Sequence, residues 1–361
     1  MNKRPSSTNA FVRFNDAVGD QWSQISDRLL VSRGASRMLI LVILSFAFFA
    51  ALNPSVFLSP LNLQNIAVAS PEVGVIAIAM MLAMLTGGID LSLVAIANLS
   101  AITISTLYSA VAAGNPAAAE QLTPVLVLIG LVVGLLGGLF NGFLVSRVGI
   151  TPILATLGTM QIYNGIAVAW TGGSTLYGSP EVLTAIGHAT VAGVPMLFII
   201  FLLTAGVIGV VVSRTPLGLR IQFQGANPVA ARYSGINSRR VLMSTHVVAG
   251  LLGGLAGVLF IARNPTASAD YGASYVLLVI VIAVLGGTNP AGGFGTVAGV
   301  VLATLTLQIV SSGFTAVRLS AYEYAMAQGV ILILVMVADQ VTWRRRRRPQ
   351  TTPVDPVAVG T

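Results

Sequence analysis

Apolar residues in this chain run in long unbroken blocks and show no period-two alternation with polar ones. Blocks near the roughly 20 residues that a helix needs to cross a bilayer occupy positions 38–53, 65–86, 91–112, 123–146, 152–171, 195–213, 241–262, 274–288, 293–314 and 324–341. The pattern predicts an all-α polytopic transmembrane helical bundle of about ten spans. The eighth block is short, and the breaks at Gly286-Gly287 and Gly292-Gly293 also fit half-helices or a re-entrant segment. One further break carries an acid. Leu85-Thr-Gly-Gly-Ile-Asp-Leu-Ser-Leu93 sets Asp90 and the Gly87-Gly88 pair between two spans. An ionisable group there costs about 2.5–3.5 kcal/mol on insertion scales, so it is kept for function or for a specific buried partner.

Composition agrees with the pattern. Of the 361 residues 55% are hydrophobic and 8% charged, with a mean hydropathy of +0.88, whereas a soluble domain carries about 25% charged residues. The net charge of +8 is a topology signal. With both termini cytoplasmic, all basic residues except Arg263 and Arg318 fall on the inner side, where Lys and Arg accumulate. The division predicted is a cytoplasmic N-terminal arm at 1–36, a transmembrane domain at 37–342 and a basic, disordered cytoplasmic tail at 343–361. Within the arm, Phe11 to Leu30 fits a segment lying on the membrane surface. The Arg344–Arg348 run suits the anionic inner leaflet. No basic soluble domain accompanies it, so nucleic acid is not an expected partner.

Several chemistries are excluded. The single lysine, Lys3, has no glycine-rich turn around it, so there is no P-loop. His188 and His246 stand apart from any acid at ligand spacing, and cysteine is absent, so neither a metal site nor a triad is expected. His246, beside Ser244 and Thr245 at the start of a span, reads as a hydrogen-bonded structural residue. Gly130, Gly134, Gly138 and Gly142 form a side-chain-free ridge, echoed by Gly250 with Gly254 and Gly253 with Gly257, which predicts close helix packing.

The longest cytoplasmic loop, 214–240, has punctuation of its own. Asn227 suits an N-cap, Pro228 the first helical position, Ala230 and Ala231 the body, and Gly235 a left-handed stop. A helix of about two turns is predicted. It reads either as a solvated surface helix or as one that docks an energy-supplying subunit.

Four segments then carry a family resemblance: Thr86–Ser92, Asn141–Thr159, Gly225–Asn237 and Leu285–Gly295. In that order they resemble the permease subunits of bacterial ATP-binding-cassette sugar importers, of the ribose/monosaccharide, branched-chain-permease-like type. The resemblance implies an inner-membrane transport subunit, not an enzyme and without cofactor of its own. ATP would be used by separate cytoplasmic ATPase subunits, solute would come from an extracytoplasmic solute-binding protein, and a second permease copy or paralogue would complete the pair. It implies an ATPase-coupling element at Gly225, Asn227, Pro228, Ala231, Arg232, Tyr233, Ser234 and Gly235, with Arg232 or Tyr233 facing the ATPase. Gly87, Gly88, Asp90, Ser92, Asn141, Asn164, Gly286, Gly287 and Thr288 are the candidates for the translocation pathway or its helix breaks. Asp90 reads as a holder of the break, accepting from freed amides or from Ser92, or as a solute contact or gate.

One departure stands out. Val276-Leu277-Leu278 replaces an acidic-leucine-acidic stretch common in the family, so no particular sugar is implied. The alternative reading is an ion-coupled secondary transporter that titrates Glu72 and Asp90; a channel or non-transporting scaffold is a further one. Asn98, Gln161, Asn164, Gln308 and Gln328 serve either as interhelical glue or as hydroxyl-binding groups. Met80–Ser92 and Ile282–Thr296 share a span, Gly-Gly break and small-residue span, which suggests a parallel internal repeat.

Overall fold

Proline at the first helical turn, where its missing N–H is not needed, starts many of the helices in the computed structural model. The structure describes residues 33–320, 322–330 and 333. The helices are α1 (Arg33–Leu52), α2 (Pro60–Leu85), α3 (Leu93–Ala112), α4 (Thr123–Phe143), α5 (Pro152–Thr171), α6 (Glu181–His188), α7 (Met196–Arg214), α8 (Pro216–Ala226), α9 (Pro228–Tyr233), α10 (Ser238–Arg263), α11 (Tyr275–Leu285) and α12 (Val297–Ala316). Short turns lie at Pro54–Phe57 and Pro116–Gln121, and a π-helical turn, Leu144–Val148, prolongs α4.

The result is an all-α polytopic bundle. Among the described residues, seven helices are long and apolar enough to cross a membrane: α1, α2, α3, α4 with its π turn, α7, α10 and α12. The fifth predicted span is the 20-residue α5, which is more polar than those seven. The eighth is the 11-residue α11, stopped by the Gly286-Gly287 break. Most of the tenth run (324–341), most of the arm, its Phe11–Leu30 segment, the Arg344–Arg348 run and the tail lie outside the described residues.

At the centre α2 is buried from Ser70 to Leu85, and α10 packs against α2, α3 and α4. The glycine ridges make this closeness possible. A Cβ on Gly134 would fall 2.5 Å from Gly250 O and 2.6 Å from Gly254 Cα, so any side chain would force α4 and α10 apart. Ser100 fastens the crossing by donating to Gly130 O at 2.9 Å. α1 covers α12 on one flank, and α5 leans mainly on α3 on another.

Local caps and turns account for elements that the apolar pattern did not predict. Thr215 accepts from Gly218 N at 3.4 Å and Pro216 opens the first turn, so 214–240 holds two helices, α8 and α9, where one was expected. Two tiny antiparallel ladders lie in connecting segments. β1 (Leu176–Tyr177) would stand alone without β4 (Thr266–Ala267), and β2 (Thr190–Val191) pairs with β3 (Val194–Pro195) across a turn at Ala192-Gly193.

Candidate functional site

The four sequence segments meet at one end of the bundle. The first is the end of α2. Gly87 takes φ +82, its N–H reaches Met84 O at 2.8 Å and that of Gly88 reaches Ala83 O at 3.2 Å, a closure that satisfies the last carbonyls of the helix. Gly88 is pressed on Pro152, the first residue of α5, so that a Cβ there would lie 2.7 Å from the proline ring.

Asp90 follows, fully buried. Its Oδ1 accepts from the Ser92 amide at 3.0 Å and the Ser92 hydroxyl at 2.6 Å. Its Oδ2 accepts from Asn141 Nδ2 at 3.4 Å and pairs with His246 Nδ1 at 3.1 Å. Asn141 also donates to Ser92 Oγ at 2.7 Å. With Nδ1 as the donor, His246 Nε2 is buried without a partner. Thr156 of α5 accepts from Leu91 N at 3.1 Å and lies 3.1 Å from Ile89 O, so the backbone freed by the break is satisfied from α5. Both carboxylate oxygens of Asp90 are therefore occupied.

The second break repeats the first. Gly287 takes φ +85, with Gly287 N to Val284 O at 2.9 Å and Thr288 N to Ala283 O at 3.0 Å. These are the same bonds as at Ala83–Gly88, made at the end of α11. Gly293 N then donates to Leu85 O at 3.0 Å, joining the two breaks. Onto this joint sits Gly225 of α8. A Cβ on Gly225 would strike Leu85 O and come within 2.6 Å of Gly293 N, and one on Gly292 would lie 2.8 Å from Gly225 O and 2.9 Å from Gly87 N. Only glycines allow three backbones to meet so closely.

From Gly225 the chain runs directly into α9. Asn227 accepts from Val229 N at 3.1 Å and Ala230 N at 3.0 Å; Pro228 is first in the helix; Ala231 is buried beneath it. Past Ser234, Gly235 stops it at φ +79, with Ile236 N bonded to Ala231 O at 3.0 Å. The outer face is open: Tyr233 is 90% exposed, and Arg232 is exposed beside it.

This junction collects Gly87, Gly88, Asp90, Ser92, Asn141, Gly225, Gly286, Gly287 and Thr288. Thr288 is 2% exposed and its hydroxyl is unpartnered. Asn164 stands apart, half-buried two turns along α5 from Thr156. The residue that sequence reading did not connect is His246, 156 positions from Asp90. No local pattern announces such a pair; the available cue was a lone base in one span and a lone acid beside another. Glu72 was likewise noted without its partners. Arg263 donates to it at 2.6 Å and Tyr271 at 2.9 Å. Among the described residues no cluster of three or more potential metal ligands occurs.

The model of the family described as the branched-chain amino acid transport system permease component matches residues 62–337. The chain belongs to that family. This permease is 33% identical over 292 residues to the ribose import permease protein RbsC of Bacillus subtilis (strain 168), covering 80% of the chain and 87% of the relative. It is 29% identical to the autoinducer 2 import system permease protein LsrD of Enterobacter sp. (strain 638), over 318 residues, 85% of the chain and 93% of the relative. With LsrD of Escherichia coli (strain K12) the figures are 29% over 316 residues, 85% and 92%. No solved structure matches the chain. The permease is a multi-pass protein of the inner membrane, a transport subunit of an ATP-binding-cassette importer whose ATPase is a separate chain.

Proposed function

We propose that this permease moves a sugar or sugar-like solute inward, handed over by an extracytoplasmic binding protein and driven by cytoplasmic ATPase subunits that dock on α9. ATP is consumed by those partners alone. The observation that carries the reading is the seat of Gly225 on Leu85 and Gly293. Displacing α9 moves α8, and α8 bears directly on both helix breaks, so force applied at the exposed Arg232-Tyr233 surface reaches the Asp90 frame without a flexible intermediary. In this reading Arg232 and Tyr233 touch the ATPase, and the two breaks flank the pathway.

The finer topology follows from charge. With Arg147 and the 214–240 loop inside, α1, α2, α3, α4, α5, α7, α10, α11, α12 and the run 324–341 make ten spans, and both termini are cytoplasmic, with the arm at 1–36 and the tail at 343–361. The sugar class is drawn from the two kinds of relative, one named for ribose and the other for autoinducer 2 import. The ion-coupled alternative needs Glu72 and Asp90 free to exchange protons. Asp90 is instead enclosed with its partners, and Glu72 is ion-paired with Arg263.

The decisive experiment reconstitutes the permease with its cognate binding protein and ATPase and follows labelled ribose. Uptake should require ATP and survive collapse of ion gradients. Arg232→Glu should abolish ATPase association while the permease still inserts. Uptake that persists without the ATPase and dies with the ion gradient would overturn the assignment.

A further inference from the structure

The end of α4 and the start of α10 carry three cations that nothing among the described residues neutralises. The two helices cross antiparallel, with Gly138 on Gly250 and Gly142 on Met243, where a Cβ on Gly142 would fall 2.8 Å from Met243 Sδ. One turn further the π turn that ends α4 packs on the start of α10, which brings Arg147 to the level of Arg239 and Arg240. All three are exposed, and none forms an ion pair among the described residues. Asp90, the acid at this end of the bundle, is enclosed by its own partners. Arg239 and Arg240 also stand in the first turn of α10, where the helix dipole disfavours cations.

Beside these arginines the outer surface of the bundle is hollow. Leu136, Leu139, Phe140, Phe143 and Met243 line an apolar groove of about 390 Å³, and its four α4 residues are exposed. Leu136, Phe140, Phe143 and Arg147 recur at helical spacing, so the arginine caps the face that the groove occupies. From Leu136 to Arg147 the helix rises about 16 Å, the depth of one leaflet in a hydrocarbon core of about 30 Å.

We infer that the groove holds an anionic phospholipid of the inner leaflet, with an acyl chain along Leu136, Phe140 and Phe143 and its phosphate bridging Arg147 to Arg239 and Arg240. Basic pockets between spans on the cytoplasmic side take such head groups, and a guanidinium holds phosphate through paired hydrogen bonds. A neutral lipid fills the groove and leaves three cations repelling one another. A soluble anion neutralises them and leaves the groove bare. An anionic phospholipid answers both needs at once. Its phosphate removes the repulsion between two helix ends, and so fastens the end of α10 from which His246 reaches Asp90. The inference rests on the topology that places Arg147 and the 214–240 loop inside.

The test places the complete transporter in nanodiscs of phosphatidylcholine doped with phosphatidylglycerol, and native mass spectrometry counts the lipids retained on the permease. Phosphatidylglycerol should be retained over phosphatidylcholine. Arg147→Gln, or Arg239→Gln combined with Arg240→Gln, should lower its retention about tenfold, the loss of one charge-assisted hydrogen bond. Arg214→Gln, which removes an exposed cation at the end of α7, should leave it unchanged. Leu139→Trp fills the groove, keeps every arginine and should lower retention too. Equal retention of the two lipids overturns the proposal. So does retention that is unmoved by Leu139→Trp or lowered equally by Arg214→Gln, since either marks adsorption to a basic surface. The natural chain has no cysteine, so Phe140→Cys gives a clean further arm. Disulfide linkage between two such chains in native membranes assigns the groove to a second copy and overturns the proposal as well. The arginines are exposed, so their glutamine variants report without disturbing a packed side chain. Labelling of Arg239→Cys in intact cells by a membrane-impermeant maleimide counts against the topology, and it leaves the lipid site standing where the natural transporter still retains phosphatidylglycerol.

Discussion

Two turns into α10 His246 pairs with Asp90, and at the far end, about 25 Å along the helix axis, Arg263 pairs with Glu72. Both acids belong to α2 or the break that ends it, so the two central helices are pinned twice. The pins are built differently. Around Asp90 everything is enclosed, with Ser92 and Asn141 at 0% exposure and His246 at 1%. Around Glu72 the acid is enclosed, but the Arg263 side chain is 31% exposed, and the remaining partners are Tyr271, before α11, and Tyr275, its first residue. A closed cluster has no alternative partner for any member. A cluster with a wet edge does, because a long cationic side chain can turn its head to water. The junction end is thus a rigid frame, and the opposite end a fastening that can be exchanged.

Removing the two acids tests this contrast most strongly. Asp90→Ala leaves the Ser92 and His246 donors buried and unpaired, and breaking a buried pair costs about 3–5 kcal/mol. The variant should be largely lost on size-exclusion chromatography of the solubilised complex. Glu72→Gln keeps an acceptor for Tyr271 and lets Arg263 hydrate, so about 1–3 kcal/mol is expected, read as a smaller fall in melting temperature. If Glu72→Gln proves as damaging as Asp90→Ala, the contrast between frame and fastening is wrong.

Within the frame the two breaks can be compared in the same way. Gly87→Ala and Gly287→Ala each force an L residue into the left-handed region, at about 1–2 kcal/mol. Gly287 has open space where a Cβ would go, while at Gly87 it would lie 3.3 Å from Ala291 O. Gly87→Ala should therefore be the more harmful in melting temperature, and in transport as well, because its break carries Asp90. Equal transport defects would mean that the two breaks are functionally interchangeable.

Much of this architecture was legible in the sequence. Nine of the apolar runs coincide with helices from α1 to α12, since burial in lipid demands length and apolarity that one segment displays by itself. The start of α9 at Pro228 and its stop at Gly235 were readable for the same reason: caps act within four residues of themselves. What escaped was non-local. His246 with Asp90 and Arg263 with Glu72 are separated by 156 and 191 positions, and hydropathy gives no weight to which span an acid faces. Helix α8 escaped because a loop rich in turn residues was read by its second cap, Asn227, while the first, Thr215 before Pro216, lay against the end of a span.

The weakest contact in the comparison lies outside the membrane and has the clearest pH signature. Glu120, on the Pro116–Gln121 turn, accepts from Glu181 N at 2.8 Å and Val182 N at 3.4 Å, capping α6, whose own N-cap residue is Pro180. Tyr108 donates to the same carboxylate at 2.6 Å. Partial burial pushes the Glu120 pKa up, but these three hydrogen bonds outweigh it and hold the group below its ordinary 4.5. A depressed carboxylate contributes stability that is complete above the unfolded-state value and disappears as pH falls through the native one. Glu120→Gln should therefore cost about 0.3–1 kcal/mol near neutral pH, an amount limited by solvent screening. The gap in melting temperature between the natural chain and the variant should close on acidification below 4.5. A gap that instead widens in acid would show that the carboxylate strains the α6 cap and does not hold it.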